Sequence, residues 1–394
     1  HYNVGGLVGG LDEGGEVADC YTVATVSSAQ DAGGLVSYAN GKIRNCHAVS
    51  QVEAKYGVYG LGYLSYLGEI NASYWDSVFS GKAWAYDPQM DEYYLHVFDQ
   101  TQADLNMDNP AVRNEVEAIM RYWLDMGVDG FREDVITFIS KPEGLPDDGL
   151  PFMRGLRYYM NGPRVHEYLS QFRRNVLDQY DCFVVGEAPM MTPGKALRFV
   201  DERRASHELD MMFHFQHMEA DCLFTEYIPL PFSLRKLKRA FTRWQKALSG
   251  IGWNALYLEN HDHARVISRY GSEKYRVESG KMLACSYLFQ QGTPFVYQGQ
   301  EIGMTNHYLD AIDQYKDCMA INRYAVACRK GHNQKKFDRI RRATRDNART
   351  VMQWSGEMNG GFSEAKPWFA VNPNYATINV AAQEKDPDSL LNFY

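Results

Sequence analysis

Residues 109–134 have the sequence NPAVRNEVEAIMRYWLDMGVDGFRED, which predicts an amphipathic helix followed by a short buried strand. Asn109 can cap the helix, and Pro110 suits its first position. Gly127 is typical of the residue just beyond a helix C-terminus, and a strand over 128–134 follows. The apolar residues predicted to form one buried face of this helix are Val112, Val116, Ile119, Met120, Trp123 and Leu124.

The same order of helix and strand recurs further along the chain. Amphipathic periodicity predicts helices over 163–179, 233–249 and 275–290. Alternating helices and buried strands are typical of a parallel sheet built from βαβ units. The strands predicted after 128–134 cover 182–185, 209–215, 255–258 and 294–297.

The first 75 residues differ in composition and contain internal repeats. Gly33-Gly34-Leu35-Val36 repeats Gly5-Gly6-Leu7-Val8 after 28 residues, and 45–49 resembles 19–23 after 26 residues, with a decayed third copy over 62–75. One copy cannot bury its own apolar face, so stacked copies forming a short β-solenoid are expected. These copies resemble the GLUG repeats of bacterial surface proteins.

Composition excludes several classes of partner. The chain has 394 residues, 45% of them hydrophobic, which is enough for a large core, and its net charge of −8 disfavours nucleic acid. No run of 18 apolar residues predicts a membrane span, and no secretory signal is visible at His1. Aromatic residues make up 13%, which fits a Tyr-rich core or sugar recognition equally well.

Seven cysteines occur without a CxxC pair, so neither a metal site nor a redox cofactor is predicted. Cys20 and Cys46 occupy equivalent repeat positions, where a disulfide or stacked small apolar residues are both possible. The other cysteines are expected to be free, buried thiols.

Three predicted strands end in a carboxylate: Asp134, Glu187 and Asp262. Function gathers at the C-terminal ends of strands in (β/α) barrels. An Asp after one strand can simply cap the next helix, but three such residues form a constellation. Cleavage of a glycosidic bond with retention needs two carboxyl groups about 5–5.5 Å apart. The trio therefore predicts a glycosidase.

Neighbouring residues suit these carboxylates to different tasks. Arg132, two residues before Asp134 on the same strand face, can hold the pKa of that nucleophile down. Asp262 and the adjacent His261 can bind sugar hydroxyls and favour a positively charged transition state. A general acid needs an apolar or anionic setting. The residues around Glu187 that suggest such a setting are Phe183, Val185, Ala188 and Pro189.

Several longer motifs follow one another in the order of a known family. These are Tyr93-Tyr94-Leu95-His96, Gln102-Ala103-Asp104-Leu105-Asn106, Gly130-Phe131-Arg132-Glu133-Asp134-Val135-Ile136, Val185-Gly186-Glu187-Ala188, Glu259-Asn260-His261-Asp262, Gln298-Gly299-Gln300-Glu301-Ile302-Gly303-Met304 and Arg345-Asp346-Asn347-Ala348-Arg349-Thr350 with Met352-Gln353-Trp354. Residues from about 76 to 394 thus resemble the oligo-1,6-glucosidase branch of the α-amylase superfamily.

The resemblance implies roles for individual residues. Asp134 would be the nucleophile, Glu187 the general acid/base and Asp262 the transition-state stabiliser. The substrate would be an α-glucosidic oligosaccharide, with no cofactor and no metal. The residues implied to contact the terminal glucose are Arg132, His261 and Arg349, while Val135 matches the residue associated with α-1,6 preference, although it could be an ordinary strand residue.

The resemblance also implies an incomplete fold. The expected class is α/β: an incomplete (β/α)8 TIM barrel of about strands 4–8 in residues 76–394, preceded by a short all-β solenoid-like segment in residues 1–75. The first three barrel strands and the C-terminal β-sandwich are missing from the pattern. The strand over 128–134 should therefore become an exposed edge, Arg349 should lack an acidic partner, and the catalytic carboxylates should be held loosely.

Two functions remain open at this level. The first is hydrolysis of terminal α-1,6-linked glucose, beside related activities on α-1,4 links, sucrose or trehalose 6-phosphate. The second is a surface repeat or adhesin-like protein carrying an inactive glycosidase remnant. Localisation is undetermined, since the enzyme part suggests the cytoplasm and the repeats suggest the cell surface.

Overall fold

The chain divides into two compact units. One consists of His1–Asp76 with Pro142–Tyr158, and the other of Ser77–Lys141 with Tyr159–Tyr394. The domain boundary predicted at residue 75 stays a prediction. A computed structural model describes the strands between residues 3 and 64 together with Leu7, and residues 75–394 apart from 80, 88–91, 148, 150–152, 205–206, 330 and 332–333.

Short parallel strand pairs make up the described part of residues 3–64. Asn3 pairs with Asp31, and Tyr21 pairs with His47, so each strand lies beside its sequence repeat. The pairing interval is therefore the interval of the sequence repeats. The strands are β1 (Asn3–Gly5), β2 (Val8–Leu11), β3 (Glu16–Ala18), β4 (Tyr21–Ser28), β5 (Asp31–Gly33), β6 (Val36–Ala39), β7 (Lys42–Arg44), β8 (His47–Ala54), β9 (Gly57–Tyr59) and β10 (Tyr63–Leu64).

The larger unit contains the predicted parallel sheet. Its five strands lie in the order β13, β14, β15, β18, β19, and every neighbouring pair is parallel. Among the described residues β13 has a strand partner on one side only, so the predicted edge position is confirmed. The strands of this unit are β11 (Trp84–Asp87), β12 (Glu92–Leu95), β13 (Gly130–Glu133), β14 (Phe183–Ala188), β15 (Met211–His214), β16 (Cys222–Leu223), β17 (Thr225–Pro229), β18 (Trp253–Leu256) and β19 (Thr293–Pro294).

Helices connect these strands and bury the apolar residues of the core. The predicted helices are confirmed, with ends displaced by a few residues, whereas the last predicted strand is limited to β19. The helices are α1 (Pro110–Asp125), α2 (Leu156–Tyr159), α3 (Val165–Asn175), α4 (Pro193–Val200), α5 (Leu234–Leu248), α6 (Val266–Arg269), α7 (Arg276–Leu288), α8 (Cys318–Arg329), α9 (Gln334–Ala343), α10 (Val380–Gln383) and α11 (Leu390–Phe393).

Helix α1 begins as predicted but buries a different face. The Asn109 side chain accepts a hydrogen bond from the backbone N–H of Ala111 at 2.9 Å, which confirms the cap. The prediction was wrong for Ile119 and Trp123, which are about half exposed. The buried face of α1 is instead the one that contacts α3, where Glu117 accepts a hydrogen bond from Gln171 at 2.7 Å.

A glycine allows β13 to approach β14 closely. Gly130 has a φ of 151°, and a Cβ atom at this position would overlap the backbone of Phe183 on the neighbouring strand. Only glycine adopts this conformation without strain. The close approach fixes the register in which Glu133 pairs with Gly186, one residue before the predicted acid/base.

Some expectations concern features outside this sheet. Cys20 and Cys46 lie outside the described residues, so their pairing stays open. Within the described chain, no helix is both long and apolar enough to cross a membrane. The expected burial of the thiols was wrong for Cys285 and Cys328, which are exposed. The free thiols among the described residues are Cys182, Cys222, Cys285, Cys318 and Cys328.

Candidate active site

The carboxyl ends of the parallel strands bring the three predicted carboxylates to one edge of the sheet. Asp134 directly follows β13, Glu187 lies near the end of β14, and Asp262 lies in the segment after β18. The pKa of Glu187 responds to the charges of both Asp134 and Asp262. The structure therefore groups the trio in one electrostatic cluster, as the sequence predicted.

Arg132 joins two of these carboxylates. One guanidinium nitrogen donates to Oδ1 of Asp134, and another donates to Oε2 of Glu187. The contact with Asp134 that the sequence predicted is present. The second contact was not predicted, because it crosses from β13 to β14. One cation is thus shared between two carboxyl groups.

Glu187 has the surroundings expected of a general acid. Its side chain is only 9% exposed. Burial raises the pKa of Glu187 to about 7, the charge of Arg132 opposes this rise, and a hydrogen bond with the neighbouring Asp134 carboxylate adds to it. Val185 and Ala188 are buried as expected, but Phe183 is 46% exposed because it lies at the opposite end of β14.

Asp262 has the opposite surroundings. Its carboxylate contacts His261 Nε2 at 3.0 Å, Arg349 Nη2 at 2.7 Å and Arg345 Nη1 at 3.3 Å. Burial favours a higher pKa for Asp262, but the hydrogen bond and charge of His261 and the charges of both arginines outweigh it and lower the pKa. Asp262 therefore remains a carboxylate while Glu187 holds its proton.

The prediction made for Arg349 was wrong. We expected this residue to lack an acidic partner, but it pairs with Asp262 and also donates from Nε to the backbone oxygen of His261 at 2.9 Å. Asp262 is within reach because its loop and the Arg349 segment both border the carboxyl edge of the sheet. His261 and Arg349 thus both lie at the predicted site.

Val135 has an unusual backbone conformation next to Asp134. Its φ and ψ are 41° and 42°, in the left-handed region. A β-branched side chain rarely adopts this conformation, because its Cβ crowds the backbone. Strained residues of this kind cluster at functional sites. Val135 is therefore not the ordinary strand residue that the sequence left open as an alternative.

Sequence reasoning missed Arg345 and Asp317. Arg345 lies four residues before Arg349 in the motif already singled out, and it contacts Asp262 from a second direction. Asp317 binds Arg345 at 2.8 Å but is 28 positions away, and no local pattern connects the two residues. A spacing of four residues between arginines was the signal available for Arg345.

Across the part of the chain that the structure describes, no group of three His, Cys, Asp or Glu side chains is arranged to hold a metal ion. The side chains that meet at this site are the three carboxyl groups, His261 and the arginines.

Comparison with known families agrees with this geometry. Residues 66–394 match the family described as "Alpha amylase, catalytic domain". The chain belongs to the α-amylase family. Its five parallel strands correspond to part of the (β/α)8 barrel of that family, about strands 4–8.

Curated α-amylase family relatives extend the comparison. An oligo-1,6-glucosidase of Parageobacillus thermoglucosidasius is 49% identical over 328 residues, which cover 81% of this chain and 58% of the relative. An α-glucosidase of Pediococcus pentosaceus is 44% identical, covering 81% and 59%. The chain thus spans less than two thirds of the length of the curated relatives it matches.

Solved structures of the α-amylase family are also similar. The trehalose-6-phosphate hydrolase of Bacillus licheniformis is 42% identical with a TM-score of 0.75, and the match covers 82% of this chain and 58% of that one. The isomaltulose synthase of Klebsiella sp. LX3 is 36% identical with a TM-score of 0.78, covering 82% and 59%. Related proteins with this fold therefore carry names for several different reactions on glucosides.

Proposed function

We propose that the chain is a retaining α-glucosidase that hydrolyses terminal α-1,6-linked glucose from isomalto-oligosaccharides. The observation that carries this proposal is that two carboxyl groups in one cluster have pKa values shifted in opposite directions. Burial and Asp134 raise the pKa of Glu187 to about 7, whereas His261 and two arginines lower that of Asp262 against the effect of burial. Glu187 can therefore supply a proton at a pH where Asp262 is still a carboxylate that can stabilise positive charge.

The first step forms a covalent glucosyl intermediate. An Asp134 oxygen attacks the anomeric carbon while the bond to the leaving oxygen breaks, and Glu187 donates its proton to that oxygen. The Asp134 side chain is 66% exposed, so a sugar can reach it. Asp262 and His261 bind the sugar and stabilise the positive charge that develops at the ring.

The second step releases glucose with retained configuration. The Glu187 carboxylate takes a proton from water, the water oxygen bonds to the anomeric carbon, and the bond to Asp134 breaks. Glu187 is then protonated again and Asp134 is again a carboxylate. A pKa near neutrality suits Glu187 to both steps, since it must give up and regain the proton.

Val135 supports the α-1,6 assignment within this proposal. Its left-handed backbone holds a β-branched residue directly next to the nucleophile in the chain. The residue matches the one that the oligo-1,6-glucosidase branch carries. Isomaltose should therefore be hydrolysed faster than maltose, and a clear preference for maltose would exclude the role of Val135.

We further propose that residues 4–75 form GLUG-type repeats stacked as a short β-solenoid. Parallel pairing of Asn3 with Asp31 and of Asp31 with Gly57 supports stacking at the sequence interval. The high identity to oligo-1,6-glucosidases over 81% of the chain does not favour the alternative of an adhesin-like protein with an inactive remnant.

Hydrolysis of p-nitrophenyl α-glucoside tests the enzymatic proposal. The purified 394-residue chain should release p-nitrophenol. Asp134→Asn should reduce the rate by roughly a thousandfold or more, because removal of an essential catalytic group costs about that much. Asp129→Asn is a matched control, since Asp129 is exposed and lies before the opposite end of β13. Equal background rates for the wild type and Asp134→Asn would refute the proposal and leave the inactive remnant.

A further inference from the structure

Arg345 is held rigidly by a buried carboxylate. Its Nε and Nη2 both donate to Oδ1 of Asp317, at 2.9 and 2.8 Å, and the guanidinium lies 4.8 Å from the Phe79 ring centroid. The Asp317 side chain is completely buried. A guanidinium fixed by a carboxylate and an aromatic face has little freedom to turn.

Asp317 is itself fixed by several donors. Its Oδ2 accepts hydrogen bonds from the Tyr227 hydroxyl at 3.1 Å, the Thr344 hydroxyl at 3.2 Å and the backbone N–H of Arg345 at 3.1 Å. Burial would raise the pKa of Asp317, but hydrogen bonds and the charge of Arg345 lower it. Asp317 therefore remains ionised and keeps Arg345 in place.

The remaining guanidinium nitrogen of Arg345 reaches the active site. Nη1 lies 3.3 Å from Oδ1 of Asp262, on the same carboxylate oxygen that Arg349 contacts. The two arginines differ in their supports. Arg345 is bound to a buried carboxylate and its side chain is 15% exposed, whereas Arg349 is 30% exposed and is otherwise tied to a backbone oxygen.

We propose that Arg345, anchored by Asp317, is a positioning residue that fixes the orientation and the negative charge of Asp262. The inference rests on the proposed role of Asp262 in glycoside hydrolysis. Arg349 also contacts Asp262, but it is the more exposed cation and its second hydrogen bond goes to the backbone oxygen of His261, whereas Arg345 is bound to a buried carboxylate. The groups that face Asp262 are then His261, Arg345, Arg349 and, at longer range, the carboxyl group of Glu187.

Two variants of Arg345 and two measurements test this inference. Arg345→Met removes the charge at similar length, and Arg345→Lys keeps the charge but cannot bind both carboxylates in the same geometry. The first measurement is kcat and KM for p-nitrophenyl α-glucoside as a function of pH. The second is the pKa of the Asp262 carboxyl group, followed by carbon-13 NMR in the 394-residue chain and assigned with Asp262→Asn.

Arg345→Met should raise the pKa of Asp262 by about one unit and lower kcat about tenfold, with KM changed less than about threefold. Arg345→Lys should recover part of both effects. Arg341→Lys is the matched control, since Arg341 pairs with Asp338 at the surface at 2.9 Å and should change neither measurement.

The two measurements separate this inference from the proposed function. An unchanged pKa of Asp262 in Arg345→Met overturns the inference whatever the rates are. A raised pKa with unchanged kcat in an active chain overturns it as well. If the wild type is no faster than Asp134→Asn, the proposed function fails, while the NMR titration still decides whether Arg345 holds the charge of Asp262.

Discussion

The two sides of the active site handle charge in opposite ways. On the side of β13 and β14, one cation, Arg132, is shared by the carboxyl groups of Asp134 and Glu187. On the side of the segment after β18, the carboxyl group of Asp262 contacts His261 and two arginines, one of which also binds Asp317. On the first side two carboxyl groups share one cation, whereas on the second side one carboxyl group contacts two.

This difference in charge determines where the proton is held. Both Glu187 and Asp262 are largely buried, and burial alone raises the pKa of either carboxyl group. The cations around Asp262 reverse that effect, whereas Arg132 only weakens it at Glu187. The chemistry of a carboxylate at this site thus follows from its neighbours rather than from its depth, and variants on each side can test this statement.

Arg132→Met should have the largest effect on activity among the variants that test this difference. Without the shared cation, Asp134 and Glu187 compete for one proton, since two adjacent carboxylates cannot both ionise easily. We expect kcat/KM for p-nitrophenyl α-glucoside to fall roughly a hundredfold, as for a misplaced catalytic group. The alkaline limb, set by a pKa of about 7 for Glu187, should move upward because Arg132 lowers that pKa.

The pH profile of kcat/KM provides the measurement, and Arg132→Lys provides the comparison. Lysine retains a charge but cannot contact two carboxylates with a rigid fork, so its alkaline limb should lie between those of the other two proteins. An Arg132→Met profile with the wild-type alkaline limb would show that Arg132 does not control the proton of Glu187.

Local signals predicted the framework of this molecule. Asn109 and Gly127 marked the ends of α1, and the strand ends at Asp134 and Glu187 placed their carboxylates at one edge of the sheet. These predictions succeeded because capping, turn geometry and the direction of parallel strands depend on neighbours in sequence. The family resemblance supplied the individual roles, which no local pattern could assign.

The contacts across the fold could not be predicted in the same way. Ile119 and Trp123 fit an apolar periodicity but are about half exposed, because the position of α3 decides which face of α1 is covered. The second contact of Arg132 and the Asp317 anchor of Arg345 join residues 55 and 28 positions apart. Periodicity contains no information on such distant pairs.

Glu133, on β13, is a second carboxyl group that lacks enough positive charge around it to offset its burial. Its Oε2 is buried without a hydrogen-bond partner among the described residues. Burial raises the pKa of Glu133 from 4.5 to about 8, Arg173 opposes this rise, and Asp210 adds to it. A raised pKa in the folded state gives stability that is complete below pH 4.5 and is lost as the pH rises through about 8. Asp262, with a lowered pKa, loses its contribution instead as the pH falls.

Glu133→Gln should therefore make the protein more stable at pH 8 and leave it nearly unchanged at pH 4.5. We expect the free energy of unfolding at pH 8 to exceed that of the wild type by about 1–3 kcal/mol. In the wild type, Glu133 ionises when the protein unfolds, which stabilises the unfolded state at pH 8, and glutamine cannot ionise. Urea unfolding at both values measures this change. Glu115→Gln, at an exposed position of α1, should show no such dependence. A constant difference between pH 4.5 and pH 8 would contradict a neutral Glu133.

Backbone strain is the smallest difference between the two sides. Val135 follows the nucleophile with a φ of 41°, whereas residues 259–262 have no positive φ. At an ordinary position Ala is more stable than Gly by roughly 0.5–1 kcal/mol, but in the left-handed region the Cβ reverses this order. Val135→Gly should therefore be more stable than Val135→Ala by about 1 kcal/mol in urea unfolding, while the same pair at Val112 in α1 should show the usual order. If Val135→Ala proved the more stable variant, the strain beside Asp134 would be absent. The two carboxylate segments would then differ in charge alone.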